Sequence, residues 1–156
     1  MMKAVLVEEL KSLQKFFLNT VSCFAEEDSS YRPNEDVFTV AQLVGHVAET
    51  LPWFIEGAFG EKGFDMDSDG FKERIKKYVS FDACINDFKK NVSDAIEKIN
   101  SLSEEELMAP ITGEIMKGAP KMTIISGISD HTAHHRGALA VYARLMGKTP
   151  KMPYAD

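Results

Sequence analysis

Two histidines in the C-terminal third of the chain are spaced so that a single metal ion can bind both. His131 and His135 lie in the segment ISDHTAHHRGAL, residues 128–139. Residues four apart in a helix are neighbours on one face, and two imidazoles at that spacing can hold one ion. At about 100° per residue, both fall on the side that Ile128 and Leu139 mark as core-facing. Buried without partners, such groups cost on the order of 1–3 kcal/mol each, and a bound ion would satisfy them.

A third ligand is needed, because catalytic zinc usually takes three protein ligands and keeps one position open. The chain has 4 histidines, so two others are available, His46 and His134. His46 lies beside the apolar stripe of an earlier helix and is the only histidine outside the last-helix cluster, which makes it the natural third ligand. His134 points about 80–100° away from its neighbours on the helical wheel and is the weaker candidate. Alternatively, the histidines are structural and bond only to protein groups.

Such a site supports two kinds of chemistry. An ion on three neutral imidazoles lowers the pKa of bound water toward about 7, which leads to hydrolysis, or deprotonates a thiol for attack on an electrophile. Thr132 stands where a zinc metalloprotease would need its catalytic Glu, which argues against proteolysis. The catalytic residues stay unassigned. Glu49 and Asp130 are either partners of the imidazoles or solvated, and Tyr142 is either a donor near the open position or a core residue.

Four long segments with apolar residues at three- and four-residue steps carry these side chains. They predict helices over about residues 3–24, 39–59, 80–100 and 123–146. Thr39 followed by Gln42 matches a capping box at the start of the second segment. Pro52 lies inside that segment and is expected to kink it or to remove one backbone bond. Gly147, with Pro150 close behind, predicts the end of the last helix.

The connections between these segments are long and rich in turn-forming residues. Residues 26–37 are predicted to be a loop, residues 64–70 an acidic turn, and residues 72–78 a short helix. Ser103, with Glu106 three residues later, predicts a short turn before an irregular stretch. No window shows convincing strand alternation. Four helices of about 18–25 residues therefore predict an all-α four-helix bundle, a single domain over residues 1–156, in which some neighbouring helices are parallel.

Composition excludes several classes of protein. Of the 156 residues, 44% are hydrophobic and 27% charged, as in globular domains. A formal net charge of -6 argues against a nucleic-acid partner. No apolar run approaches the about 18 residues of a membrane span, and no targeting segment is visible. Cys23 and Cys84 form no disulfide framework. We therefore expect a cytoplasmic protein with free thiols and no membrane partner.

Three stretches of the chain resemble the DinB/YfiT-like family. They are TVAQLVGHVAET around His46, DHTAHHRGALAVYARLMGKTP from Asp130 to Pro150, and the Arg32–Pro33 pair before the second helix. The resemblance covers about residues 6–153. One departure is Ala138, where the family often has Gln after the HRG sequence.

The resemblance implies a four-helix bundle with one divalent ion, zinc or nickel, on His46, His131 and His135. It also implies a homodimer and a small-molecule substrate, such as a low-molecular-weight thiol. The predicted function is a divalent-metal-dependent enzyme that activates a thiol or water, of the thiol S-transferase or small-molecule hydrolase type. The alternative is a non-catalytic metal- or ligand-binding dimer of a stress response, and whether the chain is an enzyme stays open.

Overall fold

Helices dominate the computed structural model, which describes residues 1–155. The six α-helices of these residues are α1 (Met2–Val21), α2 (Val40–Phe59), α3 (Ser68–Ile75), α4 (Phe81–Ser101), α5 (Glu104–Met108) and α6 (Ile124–Leu145). Two 3-10 turns, Glu26–Asp28 and Lys121–Thr123, lie in the connections. The same residues contain no β-strand, only an isolated bridge between Pro110 and Pro120. The prediction of an all-α protein with four long helices is confirmed.

Side-chain caps set the start of α2 as predicted. The Thr39 hydroxyl accepts from the Gln42 backbone N–H at 3.2 Å, and the Gln42 side chain accepts from the Thr39 N–H at 3.0 Å. This reciprocal pair satisfies two donors that the first turn of a helix leaves free. Pro52 lies inside α2, and the helix continues beyond it to Phe59. At the other end of the chain, Gly147 ends α6 with a φ of 74°, a conformation that favours glycine.

The short helix in the α2–α4 connection starts earlier than predicted. The sequence suggested an acidic turn over residues 64–70 and a helix over 72–78, but α3 spans Ser68–Ile75. Asp67 caps it by accepting from the Gly70 N–H at 2.9 Å. Asp69 in the first turn interacts favourably with the helix dipole. The prediction was wrong because these acidic residues were read as a turn rather than as a helix start.

Helices α1 and α6 are neighbours that run in the same direction. Near their N-terminal parts, the Ser129 hydroxyl donates to the Glu9 carboxylate at 2.8 Å. Two turns further along both helices, the Arg136 guanidinium lies over the Phe16 ring, 5.8 Å from its centroid. Both contacts advance together, so the helices are parallel. The long connections therefore permit a parallel neighbour, as expected.

Helices α2 and α6, which carry the three candidate histidines, are antiparallel neighbours. Tyr142 near the end of α6 donates to the Phe38 carbonyl, just before α2 begins. Thr50, further along α2, meets His131 early in α6. Helix α4 is likewise antiparallel to α1, through the contacts Lys3–Asn100 and Phe17–Phe88. The helices α1, α2, α4 and α6 thus form the bundle, with α2 parallel to α4.

The bundle core is built from apolar residues of all four long helices. Fully buried examples are Leu10, Phe17, Leu51, Phe88, Ile99, Ile128 and Leu139. At its centre the Phe17 and Phe88 rings lie 4.5 Å apart. The described helices do not combine the length and the hydrophobicity that crossing a bilayer requires.

Two aromatic rings seated on glycines hold the α2–α4 connection against α2. A Cβ atom at Gly45 would lie 2.2 Å from the Tyr78 ring, and one at Gly57 would lie 2.2 Å from the Phe64 ring. Only a residue without a side chain permits such an approach. Since Phe64 precedes α3 and Tyr78 follows it, both ends of α3 are anchored beside α2. Helix α3 therefore covers the face of α2 that carries His46.

Candidate metal centre

The structure brings His46 of α2 together with His131 and His135 of α6. The Nε2 atom of His131 lies 3.2 Å from Nε2 of His46 and 3.1 Å from Nε2 of His135. Ligand nitrogens of all three residues lie within 4.8 Å of one another. With zinc–nitrogen bonds of about 2.0–2.1 Å, the edge of a tetrahedral ligand shell is about 3.3 Å. The two short separations match that edge. His134 is exposed and lies outside the group.

Hydrogen bonding among the three rings cannot satisfy all three nitrogens. A neutral imidazole nitrogen carries either one proton or one lone pair. The Nε2 atom of His131 faces two other Nε2 atoms, so it can pair with only one of them. In the second close contact, two Nε2 atoms face each other without a hydrogen bond between them. A cation at the common point removes this conflict, because it accepts all three lone pairs.

Thr50 determines which nitrogen of His131 carries the proton. Its hydroxyl donates to the Val47 carbonyl at 3.0 Å, which uses the only hydroxyl proton. The same oxygen lies 3.3 Å from Nδ1 of His131, so it accepts a hydrogen bond there. The proton of His131 is therefore on Nδ1, and Nε2 presents its lone pair to the cluster. This is the tautomer that a metal ligand requires.

The His46 ring has apolar surroundings that leave one of its nitrogens without a partner. Its Nδ1 atom is buried and has no hydrogen-bond partner among residues 1–155. The rings of Phe38 and Phe71 pack against the imidazole edge-on, with centroids at 6.0 and 5.1 Å. A buried polar atom without a partner costs free energy. Coordination through Nε2 keeps the proton on Nδ1 and gives that atom no partner, so the case for an ion rests on the Nε2 contacts.

The electrostatics of the cluster keep the imidazoles neutral. Burial lowers the pKa of His46 and of His131 to about 4, and that of His135 to about 3. Repulsion between neighbouring imidazolium charges adds to the effect, while the carboxylate of Asp130 opposes it at His131. All three rings therefore have free lone pairs at neutral pH, as metal binding requires.

A cavity of about 540 Å³ lies directly beside the cluster, with His46 and His131 in its wall. One side consists of α2 and the other of α3 with the segment before it. The remaining lining residues are Glu49, Thr50, Trp53, Phe54, Met66, Ser68, Phe71 and Arg74. Its volume is typical of small-molecule sites, about 300–1,000 Å³. The cavity gives a molecule of that size access to the histidines.

Glu49 lies in the wall of the cavity but does not orient an imidazole. Its Oε2 atom accepts from the Tyr78 hydroxyl at 2.6 Å and lies 3.6 Å from Nε of Arg74. Burial and the Glu49 carboxylate raise the pKa of Tyr78, so this phenol stays a donor. Within residues 1–155, Glu49 makes no hydrogen bond to a histidine. The interpretation of Glu49 as an imidazole partner is therefore not supported by these contacts.

Other sequence candidates take structural or peripheral positions. Asp130 is exposed and acts on His131 only through its charge, which opposes the lowering of the pKa of that ring by burial. Tyr142 is 8% exposed and donates to the Phe38 carbonyl at 3.1 Å, so it is a core residue. Arg136 stacks on aromatic rings between α1 and the C-terminal segment.

Neither cysteine is placed to act as a nucleophile in the cavity. Both are free, with Cys84 buried and Cys23 half-buried. Burial raises the pKa of both thiols, to about 11 for Cys84. They are therefore protonated at neutral pH, and neither lines the cavity. The expectation of free thiols agrees with these positions.

Sequence reasoning missed the contact of Thr50 with His131 and the contribution of α3 to the cavity. Thr50 follows His46 by one helical turn and shares its face, so its spacing was a usable signal. Phe71 and Arg74 come from α3, and their approach to α2 depends on the path of the connection. The packing of Phe64 on Gly57 and of Tyr78 on Gly45 sets that path. A single sequence does not reveal which ring packs on which glycine.

Comparison with known proteins agrees with this architecture. The family model described as DinB family matches residues 1–156. Among solved structures, the chain is similar to YjoA, a DinB-like protein from Bacillus subtilis, with a TM-score of 0.66 and 20% identity over 94% of each chain. That likeness establishes the fold. The curated proteins contain no significant match. On the family match over its full length, the chain belongs to the DinB family.

Proposed function

We propose that this chain binds a divalent metal ion, with His46, His131 and His135 as its three protein ligands. The observation that carries the proposal is the convergence of their Nε2 atoms, with neighbours 3.1 and 3.2 Å apart and no proton arrangement that satisfies them all. Three neutral imidazoles suit zinc and nickel. We propose that residues 1–156 form a single domain that contains this site.

We further propose that the site is catalytic, as a thiol S-transferase or a small-molecule hydrolase. A divalent ion on three histidines lowers the pKa of a water or a thiol that it binds. Thr50 keeps the Nε2 lone pair of His131 directed at the cluster. The rings of Trp53, Phe54 and Phe71 line the cavity and exclude water from one side of a bound molecule. Exclusion of water strengthens every electrostatic interaction in the site.

Metal analysis of purified protein tests the first part of the proposal. We expect about one ion per chain in the wild type. His46→Ala, His131→Ala and His135→Ala should each remove most of it. His134→Ala is the matched control, because His134 neighbours His135 in sequence but is exposed. Equal metal content in all five proteins would refute the ligand assignment.

A thiol-dependent screen of the metal-loaded protein against small electrophiles and esters tests the second part. Turnover that disappears in His131→Ala would support the enzyme. Metal uptake without turnover would favour the alternative, a non-catalytic metal- or ligand-binding protein. Family membership is the support for a homodimer, and light scattering on the eluted protein measures the assembly directly.

A further inference from the structure

Among the described residues that line the cavity, Arg74 is the one Lys or Arg side chain, and its guanidinium makes no hydrogen bond within residues 1–155. Its only ion pair within residues 1–155 joins Nε to Glu49 Oε2 at 3.6 Å, too long for a hydrogen bond. Within the same residues its guanidinium makes no hydrogen bond and no ring contact. The side chain lines the cavity and is 43% exposed, so its donors are not enclosed by other protein groups.

Glu49 does not need Arg74 as its main partner. The Tyr78 hydroxyl donates to Glu49 at 2.6 Å, whereas Arg74 is a full ångström further from the same oxygen. Tyr78 is itself fixed, because its ring sits on Gly45. The Tyr78–Glu49 pair therefore persists without Arg74. Arg74 therefore lies near the Glu49 carboxylate but keeps its hydrogen-bond donors for another acceptor.

The rest of the lining is mostly apolar. Trp53, Phe54, Met66 and Phe71 form the walls, and the Trp53 indole N–H is already used in a 2.6 Å bond to the Asp65 carbonyl. An apolar cavity with one guanidinium that makes no hydrogen bond favours a ligand with an apolar body and one anionic end. Arginine pairs with planar carboxylates through two parallel hydrogen bonds.

We propose that Arg74 is a specificity-determining residue that binds the carboxylate of a small organic acid, whose apolar body lies between Trp53 and Phe71. The proposal rests on the proposed function, since it names the class of molecule that the site takes. A carboxylate suits the cavity better than a phosphate group, which carries about two negative charges. Glu49 already offsets part of the single positive charge of Arg74, so a monoanion is the better match.

The intrinsic fluorescence of Trp53 measures ligand binding directly, because Trp53 is the only tryptophan of the chain and lines the cavity. The probes are 3-phenylpropanoate and 3-phenylpropanamide, which share an apolar body and differ in charge. Titrations are made at pH 7 in metal-free protein, so that a bound ion cannot attract the carboxylate. We expect the acid to bind about tenfold more tightly than the amide, or better.

Arg74→Gln should abolish this preference for the acid. Lys72→Gln is the matched control: Lys72 lies on the same helix, is 69% exposed, pairs with Asp69 and does not line the cavity. Its preference should equal that of the wild type. Glu49→Gln should strengthen acid binding, because Arg74 loses its competing carboxylate. If the Arg74–Glu49 pair had only a structural role, Glu49→Gln would instead weaken binding of the acid.

Three results would overturn the proposal: equal binding of acid and amide by the wild type, a preference retained in Arg74→Gln, or no response of Trp53 to either probe. Metal analysis of the same variants shows whether the carboxylate-binding role of Arg74 has failed or the proposed metal site has failed. Arg74→Gln should bind as much metal as the wild type. A wild type that binds no metal but prefers the acid would refute the metal site and leave the Arg74 assignment standing.

Discussion

Replacing Thr50 with valine tests whether one hydroxyl prepares the candidate metal centre. The Thr50 oxygen accepts from Nδ1 of His131 at 3.3 Å, after donating its own proton to the Val47 carbonyl. Valine keeps the branched shape but removes the acceptor. His131 then has no fixed tautomer, and the buried Nδ1 proton loses its partner. We expect Thr50→Val to weaken metal binding while the three ligands stay in place.

The expected size follows from the geometry of this contact. Loss of a hydrogen bond to a metal-ligating histidine typically lowers metal affinity by about 10–100-fold. The 3.3 Å separation is longer than an average hydrogen bond, so the lower end of that range applies. We expect a loss of about tenfold, or about 1.4 kcal/mol of binding free energy.

Competition with a chromophoric chelator measures this affinity difference. Thr20→Val is the matched control, because the Thr20 hydroxyl also donates to a backbone carbonyl of the preceding helical turn, in a helix that carries no candidate ligand. Its metal affinity should equal that of the wild type. An affinity of Thr50→Val within about twofold of the wild type, or an equal loss in Thr20→Val, would refute the assigned role of Thr50.

Two further predictions concern the cavity wall and the response to pH. Gly45→Ala should destabilise the fold by about 1–3 kcal/mol, because its Cβ would lie 2.2 Å from the Tyr78 ring; an unchanged urea midpoint would contradict it. Metal-free protein should lose stability as the pH falls from 7.5 to 5.5. The histidines of the unfolded chain, with a pKa of about 6.5, bind protons in this range, whereas those of the folded cluster, with pKa values of about 3 to 4, do not. A variant with alanine at all three cluster positions should show a smaller loss, and equal slopes would argue against the neutral cluster.

The bundle was predictable because its signals are local. Apolar periodicity marks a helix face irrespective of what packs against it, and caps such as Thr39 and Ser80 act within three residues. The position of α3 was not predicted, because an acidic stretch can be either a turn or a helix start. The backbone bond from the Phe71 N–H to the Asp67 carbonyl, together with the cap from Asp67 to Gly70, identifies the helix start.

The candidate ligands were predictable for a related reason. His131 and His135 share a helix, so their proximity follows from the four-residue spacing alone. His46 could be named because few histidines were available. Its approach to the other two depends on the axial register in which α2 and α6 pack antiparallel. That register is a property of the whole bundle.

The sequence alone determined which residue types face the interior of each helix, and therefore that imidazoles replace aliphatic side chains in the last one. The tertiary structure decided what surrounds them. It set Thr50 against His131, Tyr78 against Glu49, and Arg74 at the edge of an apolar cavity. The physical reason is range: helix faces and caps depend on neighbours a few residues away, whereas these contacts join segments whose separation is fixed only when the four helices and the α2–α4 connection pack together.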